Sequence, residues 1–282
     1  MDLLNTLDSL QSAAEQTERD KQSKIQKPKY SFDKLKMYFG EDYTIGGITI
    51  SIPTIGDILD IGETNFYQAM SPFVNNPTSI RVLLYDAFHK DWTKTKDIES
   101  FFILYQMLKI QNDKTLLSDD NIFNIYHLVF KGVELDNLSL KSDENGALAL
   151  IDEEQDLVIY EDDYLEIAEY IRTFLNIHPK VEKGKGKTTK LWMLQEDRMK
   201  EQENKNREPS STLLPLVSGC VNHPGFKYKL EELKQVNIYQ FMDSVQRIQK
   251  YEQGTAAIKG MYSGFVSSKD IPQDVINFMG EI

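Results

Sequence analysis

Apolar and polar positions alternate along this chain in two rhythms, and each predicts a different element. Ile48, Ile50 and Ile52 alternate with Thr49 and Ser51, the period of two expected of a half-buried strand. Gly46-Gly47 separates that strand from Tyr43–Ile45 and suits a two-residue hairpin turn, because both glycines accept positive φ. The helical rhythm follows in TIGDILDIGETNFYQAM, with Ile55, Ile58, Leu59, Phe66 and Ala69 as candidate core, although Gly56 and Gly62 weaken it. A second helix should start at Asp97, as cap, and bury Phe101, Leu104, Tyr105 and Leu108. A third should follow Ser118-Asp119, with Ile122, Tyr126 and Val129 on one face. GALALI and LVIY are apolar runs of strand length split by Asp152–Asp156, a second hairpin. Asp162 or Asp163 should then cap a helix carrying Ile167, Ile171, Phe174 and Leu175.

The pattern loosens from His178 to about Gly225. HPKVEKGKGKTTK is polar, basic and glycine-containing, the composition of a linker or exposed loop. KLWMLQEDRMKEQENKN is a helix candidate, and REPSSTLLPLVSGCVNHPG, with three prolines, reads as extended connection. From Phe226 the helical rhythm returns. Asn237 with Gln240 forms an N-cap signal, Phe241, Val245 and Ile248 share a face, and Pro272 suits the first turn of a short final helix. At the other end Leu3, Leu7, Leu10 and Ala14 make a helical seam that Pro28 ends; so short a helix docks on its own protein or on a sister subunit, or frays. The fold expected is α+β and mainly α: helical bundle regions, one or two small β-hairpins and a C-terminal helical module. Its organisation is an N-terminal arm (1–30), an α+β domain (31–178), a basic linker and extended segment (179–225) and the C-terminal module (226–282).

Composition narrows the function classes. A chain of 282 residues, 40% hydrophobic and 27% charged, can bury the core of one or two globular domains. A net charge of −12 argues against nucleic acid as a partner, since phosphate binding needs Lys and Arg. Cys220 is the only cysteine, so an internal disulfide is impossible, which suits a reducing compartment. MDLLNTLDSL does not read as a signal peptide, and no run approaches the roughly 18 apolar residues of a membrane span. A soluble cytosolic protein with no membrane partner is expected. The charge is also segmented. Eleven acidic residues and no Lys or Arg lie between Asp143 and Tyr170, whereas Lys183 to Arg207 carries eight basic residues against four acidic. Such segments are solvated surface or orient a partner.

No constellation supports chemistry. GKGKTTK contains a GKT triplet, but the position that a phosphate loop requires as glycine is Val181, and no strand precedes it. His89, His127, His178 and His223 are far apart and lack neighbours at metal spacing. Cys220 with His223 lies among prolines and small residues, a poor scaffold for a nucleophile. The acidic hairpin lacks the spaced ligand pattern of a calcium loop. Catalytic, cofactor and metal sites are therefore all expected to be absent, and the protein is expected to be no enzyme. What remains is an aromatic crowd in the C-terminal module. Tyr228, Tyr239, Phe241, Tyr262, Phe265 and Phe278 are the candidate partner-binding residues, since aromatic anchors enrich interface hot spots.

Two blocks carry a family resemblance. ITISIPTIGDILDIGETNFYQAMSPF, Ile48 to Phe73, resembles the N-terminal block of tail-assembly proteins of phages and prophages of Gram-positive bacteria. WMLQEDRMKEQ, NIYQFMDSVQRIQKY, GMYSGFV and IPQDVINFM, between Trp192 and Met279, resemble their C-terminal block. The resemblance implies a non-catalytic tail assembly chaperone in the host cell cytoplasm. Its partners would be the phage tape-measure protein, possible major tail tube protein and possible further copies of itself. The alternative is a structural or adaptor subunit retained in the virion.

Overall fold

The computed structural model describes residues 30, 32–114, 122–144, 146–205, 210–267, 269, 271–277 and 279–280. The arm expected at 1–30, apart from Tyr30, the Ser118-Asp119 cap and Phe278 lie outside the described residues. The chain divides into two compact units, residues 1–33 and 34–282. In the first, the rings of Tyr30 and Phe32 stack at 6.2 Å.

The fold is α+β and mainly helical, with two small antiparallel sheets. After α1 (Lys34–Tyr38), β1 (Tyr43–Ile45) and β2 (Ile48–Ile50) form the expected hairpin, with Gly46 and Gly47 at φ 54° and 84°. Ile48 and Ile50 are buried and Thr49 is not, as the alternation requires. The next segment is two helices, α2 (Ile55–Ile61) and α3 (Glu63–Val74), broken at Gly62. Thr54 caps α2 with a complete box: its hydroxyl accepts from Asp57 N at 3.1 Å, and Asp57 accepts from Thr54 N at 2.8 Å. Ile55, Ile58, Phe66 and Ala69 are buried, but Leu59 is 61% exposed, because Ile55 and Ile58, three apart, take the buried side of α2.

Then come α4 (Arg81–Asp86), α5 (Asp97–Lys114), a 3-10 turn (Ile122–Ile125), α6 (Tyr126–Val129) and β3 (Phe130–Lys131), which pairs with β2. The single helix expected over NIFNIYHLVF is thus split, its last residue serving a sheet. Asp97 does not cap α5 but binds Arg172 Nη1 at 3.0 Å; Glu99 accepts instead from Lys96 N at 2.9 Å. The second sheet adds β4 (Ser139–Ser142) to the expected hairpin of β5 (Leu148–Asp152) and β6 (Leu157–Tyr160). Helix α7 (Glu161–Leu175) starts directly at the end of β6. Its N-cap is Tyr160, and Glu161, Asp162 and Asp163 occupy its first turn, where the helix dipole favours them.

Helices α3, α5 and α7 pack around an aromatic centre. Phe73 lies 4.8 Å from Phe101, 5.1 Å from Phe130 and 5.8 Å from Tyr126, and Phe101 lies 5.1 Å from Tyr164. Tyr170 stacks on Tyr43 of the hairpin at 4.8 Å. Aromatic pairs at these separations add to the apolar area they remove from water.

Within the stretch expected to be linker, Lys187–Lys205 is helical, which takes in the helix expected from Lys190 and adds three residues before it. Helix α8 (Lys187–Lys205) is pinned to α4. Arg81 makes a bidentate pair with Asp197, 2.6 and 2.7 Å, and reaches Glu182 at 2.5 Å. Leu194 joins Val82, Leu84 and Trp92 in a small second core. Lys190, the end of GKGKTTK and in the first turn of α8, binds Asp91 at 2.6 Å and lies 5.5 Å from the Trp92 ring. The residues that follow Ser211 form α9 (Leu213–Val221), not extended chain. Pro215 falls in its first turn, where no donor is needed, and the Glu63 carboxylate from α3 accepts from Thr212 N and Leu213 N at 2.7 and 2.9 Å.

The chain ends with α10 (Leu230–Leu233), α11 (Ile238–Tyr262) and α12 (Gln273–Ile276). Asn237 caps α11, accepting from Gln240 N at 2.8 Å. Backbone bonds join this end to Pro53 and the start of α2: Ile55 N donates to Val236 O, Gly56 N to Lys234 O and Ile238 N to Pro53 O, all at 2.9 Å. A Cβ at residue 56 would lie 2.7 Å from the Lys234 carbonyl oxygen, so glycine is required there for the two segments to meet.

Candidate functional site: the two ends of helix α11

Helix α11 has 25 residues, a span of roughly 36 Å at 1.5 Å per residue. The aromatic candidates divide between its ends. At its beginning Phe241 is fully buried and Ile238 with it; contacts with α7 and α1 account for this. Phe241 is therefore core and offers a partner no surface. Tyr239 is half-buried, its phenol pushed above the ordinary range by burial and by the Asp243 carboxylate. Tyr228, also half-buried, packs against Phe226 edge to face at 5.6 Å. Beside it the Tyr38 phenol is raised by burial and then by Tyr228 and Asp243. Tyr38 meets Phe39 edge to face at 6.1 Å, and Phe39 is 70% exposed.

The far end differs. Tyr262 is 86% and Phe265 89% exposed. Between them the chain reverses. Ser263 Oγ donates to Lys259 O at 2.6 Å, Gly264 takes φ 77°, and Phe265 N donates to Gly260 O at 3.0 Å. A tight glycine-closed turn thus leaves two large aromatic rings in solvent at the end of the helix. Such rings cost interaction with water wherever nothing covers them, and pre-set presentation lowers the entropy lost on binding.

The remaining candidates for chemistry are otherwise engaged. Cys220 is buried and its thiol is pushed up by that burial, which leaves little of the reactive thiolate at neutral pH. His223 bonds Glu252 at 3.0 Å and accepts from Gly225 N at 3.0 Å. In the acidic segment Asp152 is buried and caps its own turn, accepting from Glu154 N at 2.9 Å and Gln155 Nε2 at 2.7 Å. Glu166 accepts from Tyr43 at 2.8 Å and Glu161 pairs with Lys96 at 2.7 Å. Among the described residues no group of three or more His, Cys, Asp or Glu is placed to hold a metal ion, and no helix is long and apolar enough to cross a membrane.

The sequence reading missed Arg81 and Trp92, which lie about 100 positions from the partners they secure. It also missed Gly254 and Gly260, although the run GTAAIKG marks a thin side of α11. Comparison with curated proteins and with solved structures finds no match. Residues 202–282 match the family model of the YomV second domain, a phage- and prophage-associated family, and that match supports a phage origin for the chain.

Proposed function

We propose that the protein is a non-catalytic tail assembly chaperone. It binds the tape-measure protein in the host cell cytoplasm and keeps it soluble until the tail tube encloses it. The observation that carries this reading is the tip of α11. Tyr262 and Phe265 stand almost wholly in solvent, inside the segment that matches a phage-associated family. A tape-measure chain is long and helical, with apolar stripes that aggregate when bare. Exposed aromatic anchors suit such stripes, and the net charge of −12 keeps the complex dispersed.

The test is recovery of the tape-measure protein on tagged full-length protein from phage-producing cells, with wild type and the double variant Tyr262→Ser, Phe265→Ser compared. Neither side chain supports the core, so the variant should fold as wild type does by circular dichroism. Recovery should fall about tenfold, the effect of losing one or two hot-spot anchors. Equal recovery would remove the tip from the reading. The same tag is sought in purified virions. A strong signal there would replace the chaperone with a structural or adaptor subunit.

A further inference from the structure

Helix α8 is covered on one side only. Lys190, Leu194, Asp197 and Arg198 face α4 and Asp91, where the ion pairs and the small second core hold them. Trp192 stands roughly 200° around the helix from Leu194 and is 73% exposed. Met199, one heptad further on, shares that outward side and is 58% exposed. The segment before the helix adds charge to this face. Lys183, Lys185 and Lys187 alternate with Gly184 and Gly186, and all three lysines are exposed. A Cβ at Gly184 would lie 2.7 Å from Lys190 Cγ, so the segment lies close on the first turn of α8. Among the described residues none of the three lysines has an ion-pair partner.

The opposite charge is gathered towards the other end of α5. Gln155, in the turn between β5 and β6, accepts from Glu134 N at 2.9 Å and donates to Glu134 O at 2.7 Å, which fixes Glu134 beside that turn. Glu134, Glu154 and Asp156 are exposed and have no ion-pair partner among the described residues. The nearest cations are already engaged: Lys131 with Asp42, Lys141 with Glu153 and Lys109 with Asp136 O. The basic and acidic patches do not meet within one chain. Glu99, in the first turn of α5, pairs with Lys90, whose neighbour Asp91 holds Lys190 of α8. Lys109, ten residues along α5 and roughly 15 Å away, reaches Asp136 beside the acidic patch. Among the described residues no ion pair joins 143–170 to 183–205.

We infer that the outward face at the start of α8 docks on a second copy of this chain. Lys183, Lys185 and Lys187 meet Glu134, Glu154 and Asp156 of that copy, and Trp192 is the apolar anchor. Charge complementarity selects this occupant. Each copy bears three unpaired lysines in one place and three unpaired carboxylates in another, and a net charge of −12 disfavours contacts between copies that do not bring opposite signs together. The contact is head to tail, so an assembly built on it closes on itself or grows. It is independent of the chaperone reading and concerns the protein alone.

Sedimentation velocity on the full-length protein tests this. Wild type should self-associate, and at least about tenfold more weakly at about 0.5 M salt than at about 0.05 M, because exposed charges are screened. Two variants follow. One carries Lys183→Glu, Lys185→Glu and Lys187→Glu. The other carries Glu134→Lys, Glu154→Lys and Asp156→Asn, asparagine because residue 156 has φ 51°. None of the six side chains is buried, so circular dichroism should match wild type. Each variant alone should self-associate about tenfold more weakly, the sum of a few exposed pairs. Mixed one to one they should associate again, because each supplies the patch that the other has lost. The first variant is more acidic than wild type and the second less so, and loss in both therefore separates a docking contact from bulk repulsion. A monomeric wild type overturns the inference, as does undiminished association of either variant. A mixture that stays monomeric overturns it too.

Discussion

The Arg81 guanidinium is 7% exposed and meets Asp197 through two nitrogens and Glu182 through a third. Burial works against its charge, but the two carboxylates outweigh it and hold the group above its ordinary value. The Trp92 ring lies 5.9 Å away and donates its own N–H to Glu182 O at 3.0 Å. Removing the cation leaves two carboxylates facing each other beside an apolar cluster. Arg81→Ala should therefore destabilise the protein by about 3 kcal/mol, at the lower end for broken buried pairs because Glu182 and Asp197 keep some solvent. The midpoint of urea unfolding measures it. A change under about 0.5 kcal/mol would assign the cluster to the ordinary surface class. Nothing in the sequence distinguishes Arg81 from the chain's other basic residues. Its role comes from a fold that brings positions 81, 92, 182 and 197 together.

At the scale of elements, α8 shows how a polar helix is retained. Only Leu194 of its side chains is fully buried, so ion pairs align the rest: Arg81–Asp197, Arg198–Asp86 and Lys190–Asp91. Asp91 is held below the ordinary carboxylate value of 3.8 chiefly by its hydrogen bond from Lys190, and Asp86 by that from Arg198. Both carboxyls lose protons more readily folded than unfolded. The stability they add is complete above about pH 4 and is lost as pH falls through their lowered values. Acidification below pH 4 should therefore free α8 before the aromatic centre melts. Buried Trp92 reports this as a red shift in emission, while Trp192, 73% exposed already, stays constant. A single transition shared with far-UV circular dichroism would show instead that α8 and the centre unfold as one. The helical rhythm of KLWMLQEDRMKEQENKN was legible beforehand. Its anchoring was not, because ion pairs across 100 residues leave no periodic trace. The same holds for α9, whose prolines read as breakers until Glu63 arrives to cap it.

At the largest scale, the second unit is knit from both of its ends. The C-terminal module was legible in sequence as a run of helices, but its independence was not tested by any pattern. Backbone bonds between Pro53–Gly56 and Lys234–Ile238, with Ile238 and Phe241 buried against α7 and α1, tie its beginning to the start of α2 and to the main core. A chain ending at residue 225 should accordingly lose cooperative unfolding and expose apolar surface, read as binding of a hydrophobic dye and loss of near-UV circular dichroism. Retention of a sharp native transition would show instead that the first part folds by itself. Loss of partner binding by such a fragment would say nothing about where the partner sits, which is why the tip variants are the proper test.

The sequence by itself determined what local rules govern. It set the Gly46-Gly47 hairpin, the cap at Asn237, the buried face of Ile167, Ile171, Phe174 and Leu175, and the mainly helical α+β class, because turn chemistry and periodicity act within a few residues. The tertiary structure alone decided which aromatics stay outside. Phe241 and Phe265 are the same residue type in the same amphipathic stretch, yet one is fully buried and the other 89% exposed. The difference is whether another element covers the chain at that point: α7 and α1 pack on the start of α11, where Phe241 sits, whereas Phe265 lies in the turn beyond its end.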